Sequence, residues 1–159
     1  VRKLFILLVS VLLISCSSGV RNAGERVITV SIAPYKYFVE AIGGKDFTVN
    51  VMVPPGADPH IYEPYPRQIV SLRKSVAYIS NGYMGFESTW MDRFTETNRQ
   101  MKVLSLNRNI EPLGESHHSE SGHAEGFDPH YWVSPRCALE MANSVRDLLA
   151  ELYPGHKQE

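Results

Sequence analysis

Val27-Ile28-Thr29-Val30-Ser31-Ile32-Ala33-Pro34-Tyr35-Lys36-Tyr37-Phe38-Val39 is the stretch that decides the fold. Its first seven residues are rich in β-branched side chains and nearly free of charge, as suits a strand buried on both faces rather than one with a wet side. Pro34 then opens a helix, because a proline costs nothing where the backbone N–H has no intrahelical partner. Tyr35, Phe38, Val39 and Ile42 fall at helical spacing on one face of it, and Gly43-Gly44 supplies the stop.

Downstream the same alternation repeats. Phe47 to Val53 is apolar and ends at Pro54-Pro55-Gly56, and a short helix from about Pro66 carries Ile69 and Leu72 inward. Val76-Ala77-Tyr78-Ile79-Ser80 is a third strand, closed by Asn81-Gly82. Trp90, Met91 and Phe94 mark a third helix and read as core, and Met101 to Leu106 is a fourth strand. Parallel neighbours need crossover connections, so this order predicts an α/β fold: a four-stranded, mostly parallel sheet with helices on both faces. A long loop over 107–127 carries three glycines, acids at 115, 120 and 125, and His117, His118 and His123. Ser134-Pro135 then caps a last helix in which Ala138, Ala142, Val145, Leu149 and Leu152 share a face, until Tyr153-Pro154-Gly155 interrupts it.

Upstream of the first strand the chain reads as a targeting segment. Arg2 and Lys3 form a basic flank, and Leu4 to Ile14 is an apolar run of 11 residues, too short to span a bilayer, which takes about 20. The run ends in Leu13-Ile14-Ser15-Cys16, which resembles the bacterial lipobox: residues 1–15 are expected to be a signal peptide and Cys16 the lipidated residue. The polar, glycine-containing residues 16–26 then serve as a tether. A length of 159 residues, 43% hydrophobic and 21% charged, is expected to form one globular domain, with little room for a second lobe. Without Arg2 and Lys3 the 16 basic residues become 14 against 17 acids, a mildly acidic balance that argues against nucleic acid as a partner. With Cys16 lipidated, Cys137 has no disulfide partner and is expected to be a buried, inert thiol in a helix.

Two of the histidines sit in matching settings, Asp58-Pro59-His60-Ile61-Tyr62 and Asp128-Pro129-His130-Tyr131-Trp132. Neutral imidazole is a good zinc ligand, and its second nitrogen is usually fixed by a carboxylate or carbonyl, a task for which Asp58 and Asp128 are candidates. The prolines stiffen the backbone just before each histidine. His60 follows the second strand and His130 the fourth, at the carboxyl edge where open parallel sheets bind ligands.

These segments carry a resemblance. Gly56-Ala57-Asp58-Pro59-His60-Ile61-Tyr62-Glu63-Pro64, then Asn81-Gly82 through Phe86-Glu87 to Trp90-Met91, then Asp128-Pro129-His130-Tyr131-Trp132-Val133-Ser134-Pro135 resemble, in order, landmarks of the metal-specific solute-binding proteins of zinc and manganese ABC importers. The resemblance implies that His60 and His130 are the two metal ligands of an amino-terminal lobe, residues 27–134, and that 135–159 begin the connection to a second lobe that supplies further ligands; the chain is then expected to hold half of a site. It also implies an ABC permease as partner, a membrane attachment through lipid and a location outside the cytoplasmic membrane; a monomer is expected. His117, His118 and His123 look like a short form of the histidine-rich loop of zinc-type members, and clustered imidazoles suit zinc better than manganese. Two alternatives stay open: a zinc hydrolase with water in an open metal position, against which stands the lack of any His-Glu-x-x-His helix, and a surface metal buffer or adhesin.

Overall fold

The computed structural model describes residues 26–111 and 127–156. Cys16, the signal segment, the tether up to residue 25 and the loop histidines His117, His118 and His123 lie outside the described residues. Among the described residues four strands and four helices alternate: β1 (Val27–Val30), α1 (Ala33–Gly43), β2 (Thr48–Val51), α2 (Pro66–Ser71), β3 (Ser75–Ser80), α3 (Gly85–Thr97), β4 (Lys102–Ser105) and α4 (Pro135–Leu152). Single 3-10 turns follow α2, β4 and α4, and another, Tyr131–Val133, precedes α4.

The strands form one sheet in the order β2-β1-β3-β4, and all three pairings are parallel. The chain moves from β1 outward to β2, then crosses back over β1 to β3 and on to β4. Right-handed crossovers in opposite directions put their helices on opposite faces, which is why α1 packs with α4 and α2 with α3. The reversal leaves a switch point between β1 and β3, where the loops leaving their carboxyl ends diverge and open a crevice.

Burial follows that plan. All four residues of β1 are buried, and Ile28, Val30, Tyr78 and Ile79 meet Tyr35 and Val39 from α1, Phe94 from α3 and Met141 and Val145 from α4 in one core. The strand is shorter than its apolar run, because Ser31 and Ile32 turn into α1 while remaining buried. Three expectations are corrected. Trp90 and Met91 are only half-buried: they pack against the core on one side and line a cavity beside the sheet's carboxyl edge on the other. Cys137 is half-buried rather than buried, near the start of α4 where the helix rises over the sheet. Ser134 holds the N-cap position with Pro135 behind it, but its side chain makes no capping hydrogen bond.

At the opposite edge the two ends of the lobe meet. The Arg26 guanidinium lies 3.7 Å over the Tyr153 ring, just past α4, and Lys102 pairs with Glu151 beside it.

Candidate metal site

Each Asp-Pro-His segment folds the same way locally. Asp58 Oδ1 accepts the His60 backbone N–H at 2.8 Å, and Asp128 Oδ1 accepts the His130 N–H at 2.9 Å, the turn that a short carboxylate makes with the amide two residues on. The connections then carry both turns over the carboxyl edge of the sheet and bring the imidazoles to a ring-centroid separation of 5.9 Å, both side chains exposed.

That spacing fits one shared ion. A zinc–nitrogen bond of about 2.0–2.1 Å sets each ring centre roughly 3 Å from the metal, so two imidazoles on one ion have centroids about 5–6 Å apart. The Asp128 carboxylate goes further than a turn: its Oδ1 also lies 2.8 Å from His130 Nδ1. These two contacts to His130, the backbone one foremost, hold the Asp128 carboxyl below its ordinary range. An imidazole bound through Nδ1 presents Nε2, so the carboxylate selects the nitrogen left for a ligand. Asp58 bonds the backbone of its histidine. Among the described residues no three His, Cys, Asp or Glu side chains converge as a metal cluster, so the arrangement supplies two imidazoles and open positions beyond them.

Beneath the rings is a polar frame to which the sequence assigned no role. Asn81, just past β3, is fully buried. Its Nδ2 donates to the Pro129 carbonyl at 2.9 Å and to the Tyr35 hydroxyl, its Oδ1 accepts the Tyr83 N–H at 3.0 Å, and its backbone carbonyl accepts the Tyr131 hydroxyl. Glu87, 3% exposed, folds its carboxylate back from the first turn of α3 to accept the N–H groups of Asn81 and Gly82, each at 2.7 Å, and the Ser31 hydroxyl just past β1. Burial pushes the Glu87 carboxyl above its ordinary value, against those three bonds, which favour the charged form. Gly82 has a φ of +93°, and a Cβ there would collide with the Asn107 side chain, so the turn under Glu87 requires glycine. The frame sits at the β1/β3 switch point. Its one sequence signal is Asn-Gly followed, five residues after the glycine, by an acid in a helix's first turn.

Aromatic rings close one side of the site. Trp132 lies 5.1 Å from His130 and meets Tyr35 edge-on at 6.0 Å, while Tyr83 packs against both Phe127 and Tyr131. A cavity of about 740 Å³ opens beside His60 and Pro129, walled by Tyr83, Phe127, Trp90 and Met91.

With this geometry the chain can be set beside known proteins. Residues 28–159 match the ZnuA family, described as zinc-uptake complex component A, periplasmic. The zinc-binding lipoprotein AdcA of Streptococcus pneumoniae is 27% identical over 170 aligned positions, covering 99% of this chain and 33% of AdcA. The manganese-binding lipoprotein MntA of Halalkalibacterium halodurans is 29% identical over 86% of this chain and 43% of its own length. Among solved structures, a zinc-bound ZnuA deletion mutant superposes with a TM-score of 0.72 at 39% identity, over 82% of this chain and 48% of that one. The chain thus spans a third to a half of the length of these proteins. A single parallel lobe with paired histidines on its carboxyl edge and a family match over residues 28–159 lead to one conclusion: this chain belongs to the ZnuA family.

Proposed function

We propose that this chain captures a divalent metal ion, zinc before manganese, outside the cytoplasmic membrane for delivery to an ABC permease, with His60 and His130 as its ligands and Asp128 orienting His130. The observation that carries the reading is the convergence of two exposed imidazoles, 70 residues apart in sequence, to 5.9 Å at the ligand-binding edge of a parallel sheet. Nitrogen donors favour zinc, since manganese prefers oxygen. The metal here is cargo, and open coordination positions suit an ion that must be released again. Asp58 shapes the His60 turn, the loop histidines His117, His118 and His123 act as auxiliary collectors, and Cys16 carries the lipid that holds a monomer to the membrane.

Titration of zinc against a competing chromophoric chelator tests the site. Single-site binding is expected in the wild type, with a loss of at least about tenfold in affinity in His60→Ala and in His130→Ala. Retention of wild-type affinity in both variants, together with its loss when the three loop histidines are replaced, would move the site to the loop. Fatty-acid labelling that survives Cys16→Ser would remove the anchor.

A further inference from the structure

The two histidine turns come from connections far apart in sequence, yet one short segment touches both. Asn81, at its start, grips the His130 turn twice, by the 2.9 Å bond from Nδ2 to the Pro129 carbonyl and by its own carbonyl, which accepts the Tyr131 hydroxyl. Gly85, four residues on, backs the His60 turn so closely that a Cβ would lie 3.1 Å from the His60 carbonyl oxygen. Between and after them the segment is clamped, because the buried Glu87 carboxylate takes the Asn81 and Gly82 N–H groups and ties them to Ser31 at the end of β1. Ser31, Asn81 and Glu87 are all buried, so the bonds that join them are harder to exchange than those of the exposed turns above.

We infer that residues Asn81 to Glu87 are the gauge that sets the spacing of the two imidazoles, with Asn81 and Gly85 as positioning residues for the metal site. This rests on the reading of His60 and His130 as ligands. Asn81 acts through the Pro129 carbonyl on the residue next in sequence, His130, and Gly85 acts through the His60 carbonyl. Neither has to touch the ion. The asparagine is suited to the task because all of its side-chain hydrogen-bonding capacity on nitrogen is used: one N–H goes to Pro129 and the other to Tyr35. Aspartate keeps the acceptor for Tyr83 and loses both donors, setting a carboxylate against a carbonyl. The glycine is suited because any side chain pushes the His60 turn outward.

The test is a set of zinc titrations on the full chain, read with Co2+ absorption as a second probe of ligand geometry. Asn81→Asp and Gly85→Ala should each weaken zinc binding by about tenfold or more, the loss seen when the groups that orient ligands are removed. In a His130→Ala background Asn81→Asp should have no further effect, and Gly85→Ala should have none in a His60→Ala background, because a gauge has nothing to set once its histidine is gone. Val145→Ala, in the core of α4 and away from the edge, provides a variant of lowered melting temperature whose zinc affinity should stay at the wild-type value. If Asn81→Asp does not fold, Tyr131→Phe takes its place: it keeps the ring and removes the hydroxyl that bonds the Asn81 carbonyl and meets the Tyr35 hydroxyl. Unchanged zinc affinity and an unchanged Co2+ spectrum in Gly85→Ala and the Asn81 or Tyr131 variant, with both histidines still required, would overturn the gauge and leave the ligands standing. Losses that merely track melting temperature, in Val145→Ala as well, would overturn it too. Zinc binding indifferent to both histidines would instead defeat the ligand assignment.

Discussion

Asp58-Pro59-His60 and Asp128-Pro129-His130 make the same local turn, a carboxylate oxygen accepting the amide two residues on at 2.8 and 2.9 Å, and beyond that the likeness ends. After His130 the chain dives inward: Tyr131 is 3% exposed, its hydroxyl reaches Asn81, and the imidazole is pinned at Nδ1 by Asp128. After His60 it runs outward: Ile61 is 79% exposed, and the first buried residue, Tyr62, bonds Gln68. One turn is anchored in the core through Pro129 and Tyr131, and its ring is held by Asp128. The other is shaped locally and backed by the start of α3. Short-range pattern specifies a turn, whereas long-range partners decide how firmly a ring is aimed.

That asymmetry can be broken or sharpened by experiment. Tyr131→Ala should cost the most, about 3–5 kcal/mol by urea unfolding, as for other large buried aromatics. The cost should exceed that of Tyr62→Ala, whose hydroxyl bonds a half-buried side chain; an equal loss would erase the difference in anchoring. Glu87→Gln should cost about 1–3 kcal/mol, since an amide cannot accept all the bonds the buried carboxylate receives. The sign of its pH dependence follows from burial. A carboxyl whose folded pKa lies above the ordinary 4.5 contributes fully below 4.5, and its contribution falls as pH rises through the folded value. The advantage of wild type over Glu87→Gln should therefore shrink between mildly acidic and neutral pH, and a growing advantage would contradict the burial argument.

Asp128→Asn should lower zinc affinity by about 10–100-fold, and Asp58→Asn by less than about tenfold, because only the first carboxylate is bonded to its ring. Isothermal titration of the pair reads the contrast directly. The smallest effect is expected from His60→Ala combined with His130→Ala in the metal-free protein, a change within about 0.5 kcal/mol, as for exposed side chains outside the core. A larger loss of thermal stability would mean that the histidines are structural.

The sheet was legible because its signals are local. Val27–Val30 is an uninterrupted run of buried β-branched residues, Pro34 and Pro66 mark helix starts, and Asn81-Gly82 closes a strand, each decided within a few positions. The meeting of His60 and His130 was legible at one remove, since two turns placed at the carboxyl edge of a parallel sheet have one crevice to share. The frame beneath them was not. A glutamate in a helix's first turn normally faces solvent, and Glu87 is buried only because Ser31 and Asn81, 56 and 6 residues away, converge on it. Met141 and Leu148 escaped the α4 pattern for a related reason: α4 packs against both the sheet and α1, so its buried face is wider than the alanine-rich stripe suggested.

The contact of Arg26 with Tyr153 bears on how this lobe can be handled. The backbone enters β1 and leaves α4 side by side at the amino edge, behind the histidines rather than among them. A fluorophore pair joined near those two positions would sit close together and report fraying of the lobe without competing for the ion. A support coupled there would present the imidazoles outward, turning the lobe into an oriented metal-sensing surface.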